Sequence, residues 1–154
     1  MSPTLTFDIE TIPDVAGIRI LKNTDDKVSD AAVAGMAFKE RLEKTGSEFL
    51  PLHLHRVVAI SCVLRSNEGI RVWSLGGVDD TESALVQRFF DGIEKFTPQI
   101  ISWNGGGFDL PVLHYRGLLS GVNAQRYWDM GENDRDFKWN NYIGRYHARH
   151  LDLM

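Results

Sequence analysis

The stretch Leu5-Thr6-Phe7-Asp8-Ile9-Glu10-Thr11-Ile12-Pro13 decides how the chain is read. Leu5, Phe7 and Ile9 alternate with Thr6, Asp8 and Glu10, the period of a strand whose successive side chains face opposite sides. Asp8 and Glu10 therefore share a face, their Cα atoms roughly 6.6 Å apart at a rise of about 3.3 Å per residue. Carboxylates so placed repel each other, and two divalent cations held by oxygen ligands would compensate them. Taken alone, the pair reads equally well as a strand end with two solvated acids. A second stretch has to decide.

That stretch is Ser102-Trp103-Asn104-Gly105-Gly106-Gly107-Phe108-Asp109-Leu110-Pro111-Val112-Leu113. Residues Ile100 to Trp103 read as a short strand, the three glycines as a tight loop, and Asp109 stands where a helix should begin. Pro111 suits a first helical turn, where a missing N–H costs little. By itself Asp109 is best read as a cap or first-turn acid favoured by the helix dipole. Together, Asp8-x-Glu10-Thr11 and Asn104-x-x-x-Phe108-Asp109 resemble the first two exonuclease motifs of the DEDD (DnaQ-like) 3'-5' exonuclease superfamily. Phe7 to Pro13 is similar to the form found in family B DNA polymerases, and the whole chain to a stand-alone bacterial relative of their proofreading domain.

The resemblance implies an α/β, ribonuclease H-like fold: a mixed sheet of about five strands with flanking helices. It implies catalytic, metal-holding acids at Asp8, Glu10 and Asp109 and two divalent cations, Mg2+ or Mn2+. Asp8 would bridge both ions, Glu10 would help hold the one carrying the attacking water, and Asp109 would support the other. Thr11, Ile12, Asn104 and Phe108 match positions lining the terminal nucleotide. The implied substrate is single-stranded nucleic acid or 3' ends, DNA favoured over RNA, and the implied products are nucleoside 5'-monophosphates. A third motif with the fourth acid and a general base is expected beyond residue 154, so 1–154 is expected to be a single exonuclease-like domain lacking its C-terminal part and catalytically crippled. His147 to Asp152 spells His-x-x-x-x-Asp, but Leu151-Asp152-Leu153 reads as a strand and is not taken as that motif.

Two other classes compete. A non-catalytic nucleic-acid or protein-binding module can keep the same fold. An aspartyl-nucleophile phosphotransferase begins with Asp-x-Asp-x-Thr, whereas the second acid here is Glu10, with Thr11 adjacent.

The 154 residues, 43% of them hydrophobic, suffice for one core. The net charge of −4 argues against a surface that grips nucleic acid all over, so any such contact must be local. One cysteine, Cys62, excludes an internal disulfide and fits a reducing compartment. No window approaches the roughly 18 apolar residues of a membrane span, and the N-terminus lacks a signal pattern, which places the chain in the cytoplasm with no membrane partner.

Elsewhere, Ser29-Asp30 is expected to cap a helix running to about Lys44 and ended by Gly46, with Ala31, Ala34, Phe38 and Leu42 on its packed face. Arg56–Leu64 and Ile70–Leu75, joined by Ser66-Asn67-Glu68-Gly69, predict an antiparallel hairpin. His53 and His55 read as edge or loop residues rather than a metal pair. A helix is expected from Asp79 or Asp80, striped by Leu85, Phe89, Ile93 and Phe96 and closed by Pro98. The helix after Asp109 should bury Leu110, Leu113 and Leu118. Arg126 to Asn141 reads as irregular, and here Arg126, Arg135, Lys138 and, just beyond, Arg145 mix with Tyr127, Trp128, Trp139, Tyr142 and Tyr146, which suggests a mobile substrate-side loop.

Overall fold

The structure, a computed structural model, describes residues 2–154. The first strand, β1 (Thr4–Pro13), has the expected alternation, with Leu5, Phe7 and Ile9 buried and Thr6, Asp8 and Glu10 exposed. Two helices follow, α1 (Val15–Lys22) and α2 (Asp30–Thr45), then the hairpin β2 (His55–Ser66) and β3 (Gly69–Leu75), and α3 (Glu82–Phe96). Next come β4 (Gln99–Ser102), α4 (Asp109–Ser120), the short α5 (Gln125–Trp128) and β5 (His150–Asp152). The strands form one sheet in the order β3-β2-β1-β4-β5. β2 and β3 are antiparallel and close at Ser66 opposite Gly69, whereas β4 runs parallel to both β1 and β5. This is the α/β fold with a mixed five-stranded sheet and flanking helices that the sequence implies.

The chain divides into two compact units: residues up to Glu10 with Val57–Met154, and Thr11–Arg56. In the first, α3 buries Leu85, Val86, Phe89, Phe90 and Ile93, and Phe7 packs on Phe89 with ring centroids 4.9 Å apart. The helix starts later than the sequence suggests. Thr81 is its cap, accepting the Ala84 N–H at 3.2 Å, while Asp80 is occupied by the Gly77 N–H and by Arg88. α4 buries Leu110, Val112 and Leu113, but Leu118 is 78% exposed. The position expected of Leu118 is taken by Arg116 and Gly117: Arg116 lies inside because its Nε and Nη2 donate to the Glu82 carboxylate at 2.7 and 2.6 Å.

Most of the segment expected to be a substrate-side loop is packed. Tyr127 stacks on Tyr142 at 5.4 Å, the Tyr142 hydroxyl donates to the Pro98 carbonyl at 2.6 Å, and the Arg149 guanidinium sits 4.0 Å from the centre of the buried Phe137 ring. Asp129 organises the turn, its buried carboxylate accepting the N–H groups of Gly131, Glu132, Asn133 and Asp134. Tyr127 and Tyr142 are therefore core residues, and Trp139 and Tyr146 remain exposed.

His114, on α4, lies against the rings of Tyr127 and Trp128. Burial pushes its pKa from 6.5 down to about 4. The folded state thus binds fewer protons there than the unfolded chain, so the stability this neutral ring confers is full above pH 6.5 and is lost as pH falls toward 4. At about 1.4 kcal/mol per unit, the loss reaches about 3 kcal/mol. Denaturant unfolding at pH 7 and pH 4 should show this difference between wild type and His114→Leu; parallel pH dependence in the two would contradict it.

The second unit has its own core of Ile18, Val33, Ala37 and Leu50, with Val15, Val28, Phe38 and Leu54 partly buried against it. α1 is not anticipated by the sequence pattern; it is eight residues long and capped by Asp14, which accepts the Gly17 N–H at 3.1 Å. α2 has the expected limits, with Ser29 accepting the Ala32 N–H and Gly46 in the left-handed region. Its packed face is rotated from the expected one: Val33 and Ala37 are buried, Ala31 and Leu42 exposed. The partner that selects this face is Ile18 of the unforeseen α1. His55 is satisfied locally, its Nε2 donating to the Leu50 carbonyl and its Nδ1 accepting the Thr11 hydroxyl, both at 3.1 Å. Among the described residues, no helix is long and apolar enough to cross a membrane.

Candidate active site

β4 ends at Ser102, and two acids take over where its ladders stop. The pairing of β1 with β4 runs from Thr4 opposite Gln99 to Thr6 opposite Ile101. Beyond it, the Ile9 N–H donates to Asp109 Oδ1 at 3.1 Å. Asp109 is the first residue of α4 and is 5% exposed. The residue before it, Phe108, makes no side-chain cap. Asp109 is thus more than a helix-starting acid, because its carboxylate ties the helix to the strand carrying Asp8 and Glu10.

On the other side, the pairing of β4 with β5 ends at Ser102 opposite Asp152. Asp152 Oδ1 accepts the Asn104 N–H at 2.7 Å and Oδ2 accepts the Gly106 N–H at 2.8 Å. Asn104 has a φ of 57°, a left-handed conformation that asparagine adopts more readily than most residues. Its carbonyl accepts the N–H groups of Gly107 and Phe108, each at 3.0 Å. Gly105 has no room for a side chain, since a Cβ would collide with Ser102, which is itself buried and bonded to His150 Nε2 at 2.7 Å.

The electrostatics follow from this crowding. Burial pushes the Asp109 carboxyl above the usual carboxylate range; N–H donation from Ile9 opposes the shift, and the charges of Asp8 and Asp152 add to it. Asp152 is affected in the opposite sense: desolvation, the largest single effect, would raise it, but the N–H groups of Gly106, Met154 and Asn104 together with His150 outweigh it and hold it low.

The structure therefore brings Asp8, Asp109 and Asp152 within electrostatic reach of one another. Glu10 shares the exposed face of β1 with Asp8. Asn104 is exposed on the loop and Phe108 half-buried. Thr11 and Ile12 belong to the second unit, where Thr11 bonds His55 and Ile12 is exposed. Asp152 is the residue that sequence reasoning placed on a strand but not at the site. The available signal was its position at the end of a strand parallel to β4. Which strand β5 would join depends on long-range pairing that local pattern does not encode.

Asp8, Glu10 and Asp109 offer carboxylate oxygens, the donor type that suits a hard divalent cation. Burial is the main cause of the upward displacement of Asp109, and the nearby charges of Asp8 and Asp152, which add to it, are ones a cation would offset. Among the described residues, no group of three or more His, Cys, Asp or Glu side chains stands together so as to hold a metal ion.

An acidic cluster at the strand ends of a mixed α/β sheet is the class of site that this fold and geometry define. Residues 47–154 match the family described as "Predicted 3'-5' exonuclease related to the exonuclease domain of PolB", and the chain belongs to that family. The matched span includes Asn104, Asp109 and Asp152, whereas Asp8 and Glu10 precede it, on β1, the strand beside β4 in the sheet. Among solved structures, the family B DNA polymerase of the hyperthermophilic archaeon Pyrobaculum calidifontis is similar at 20% identity, with a TM-score of 0.49, over 81% of this chain and 12% of the polymerase. A search of curated proteins found no match.

Proposed function

We propose that the chain is a 3'-5' exonuclease domain that hydrolyses phosphodiester bonds at the 3' end of single-stranded nucleic acid, DNA in preference to RNA, releasing nucleoside 5'-monophosphates. The observation that carries this reading is the tie between Asp109 and the Ile9 N–H, which locks the acid of the second motif against the strand of the first. In this reading Asp8, Glu10 and Asp109 hold two divalent cations, Mg2+ or Mn2+. Such ions, when bound, make water nucleophilic at neutral pH and stabilise the leaving 3' oxygen.

The chain's own residues prepare the site for that chemistry. The β1 backbone presents Asp8 and Glu10 on one face. Burial and a backbone N–H restrain the Asp109 carboxylate in one orientation. In this reading Asn104, exposed on its loop, would bond the terminal nucleotide, and the half-buried Phe108 ring would pack against it. The same proposal takes the protein to act as a stand-alone bacterial relative of polymerase proofreading domains, in the cytoplasm.

The test is degradation of labelled single-stranded DNA and RNA in magnesium or manganese, with either end blocked. Attack that requires a free 3' hydroxyl and yields mononucleotides is expected. Efficient cleavage of a 3'-blocked strand or a closed circle would contradict it, and binding without any turnover would favour the non-catalytic module of the same fold.

A further inference from the structure

We infer that Asp152 is a positioning residue for the substrate, holding Asn104 in its binding conformation, and that it is not itself a metal ligand. This rests on the exonuclease reading above. Asp152 Oδ1 accepts the N–H groups of Asn104 and Met154, at 2.7 and 3.3 Å, and Oδ2 accepts that of Gly106 at 2.8 Å. A carboxylate offers about four lone-pair sites, so three of them are already directed at backbone donors. An acid spent in this way is better suited to shaping a loop than to coordinating a cation.

The loop shows the effect. Two of its N–H groups, two residues apart, converge on one side chain, which fixes the turn from both ends. Between them the backbone passes through the left-handed conformation of Asn104, which the clamp helps hold. A Cβ on Gly106 would stand 3.1 Å from Asp152 Oδ2, so the approach of this carboxylate depends on glycine there. The loop then feeds into α4, because the Leu110 N–H bonds the Gly105 carbonyl at 2.9 Å. The Asn104 side chain is thus placed by an acid 48 residues away in sequence.

Asp152→Asn keeps the shape but replaces one accepting oxygen with an amide that donates, so either the Asn104 or the Gly106 bond is lost. Gly106→Ala disturbs the same clamp while leaving the acid in place. Three quantities are to be measured in wild type and both variants: affinity for a single-stranded oligonucleotide with a free 3' hydroxyl in calcium, KM and kcat in manganese, and manganese affinity by calorimetry. Both variants are expected to weaken oligonucleotide binding and raise KM about tenfold, with kcat and manganese affinity within about threefold of wild type.

A tenfold loss of manganese affinity in Asp152→Asn, matching Asp8→Asn, would make Asp152 a ligand and overturn the inference. Unchanged oligonucleotide affinity and KM in both variants would also overturn it, as would a failure of both to fold. A wild-type protein with neither turnover nor oligonucleotide affinity would sink the exonuclease reading itself. Wild-type activity that both substitutions leave intact would sink only the role of Asp152.

Discussion

Asp8→Asn is expected to lower nuclease turnover by about 10³-fold or more while leaving the fold intact. Asp8 is exposed on β1, so the substitution removes no packing. What it removes is a negative charge whose repulsion adds to the burial that holds the Asp109 carboxyl up. Folding should therefore be unaffected or slightly favoured, because a repulsion is relieved. The chemistry should suffer, because loss of a metal-holding carboxylate forfeits several kcal/mol of transition-state stabilisation, and each 1.36 kcal/mol is a factor of ten in rate. The paired readout is turnover of a 5'-labelled oligonucleotide and the midpoint of thermal unfolding. A variant retaining more than a tenth of wild-type activity would remove Asp8 from the catalytic set.

The largest expected loss of stability lies away from the acidic site, at Glu82. Its carboxylate receives the Arg116 guanidinium in two bonds, and Oε1 also accepts the Val57 N–H at 2.7 Å. The Glu82 and Arg116 side chains are only 11% and 8% exposed. Glu82→Ala would leave a cation and a backbone donor inside without this acceptor, and breaking one half of a buried pair costs about 3–5 kcal/mol. For a chain of this length the melting temperature should drop by about 10 °C. Replacing both partners, Glu82→Leu with Arg116→Met, should restore much of the loss, because a buried pair is worth little against well-packed apolar groups. If Glu82→Ala unfolds at the wild-type temperature, the pair does not anchor α4 to α3 and the start of β2.

How far the sequence could be read depended on whether neighbours along the chain or across the fold decide the outcome. β1, the β2–β3 hairpin and the limits of α2 were legible because alternation, turn residues and caps are local signals. The packed face of α2 was not, because it is chosen by Ile18 of α1, a helix too short to show a firm period. The burial of Tyr127 and Tyr142 was hidden for a related reason: their stack involves residues fifteen apart, in a stretch whose helices are only a turn long. At the site, the pairing of Asp8 with Glu10 and the placing of Asp109 at the start of a helix followed from spacing. The bond from Ile9 to Asp109 and the clamp by Asp152 depend on which strands lie beside β4, and no local pattern states that.

The claim on which the rest depends is that Asp8 and Asp109, a hundred or so positions apart in sequence, serve one divalent-cation site. Titration calorimetry of manganese into the wild-type chain, Asp8→Asn and Asp109→Asn tests it without substrate or turnover. The wild type is expected to bind, and each substitution to weaken binding at least tenfold. Equal binding by all three proteins would show that these carboxylates do not form a common metal site.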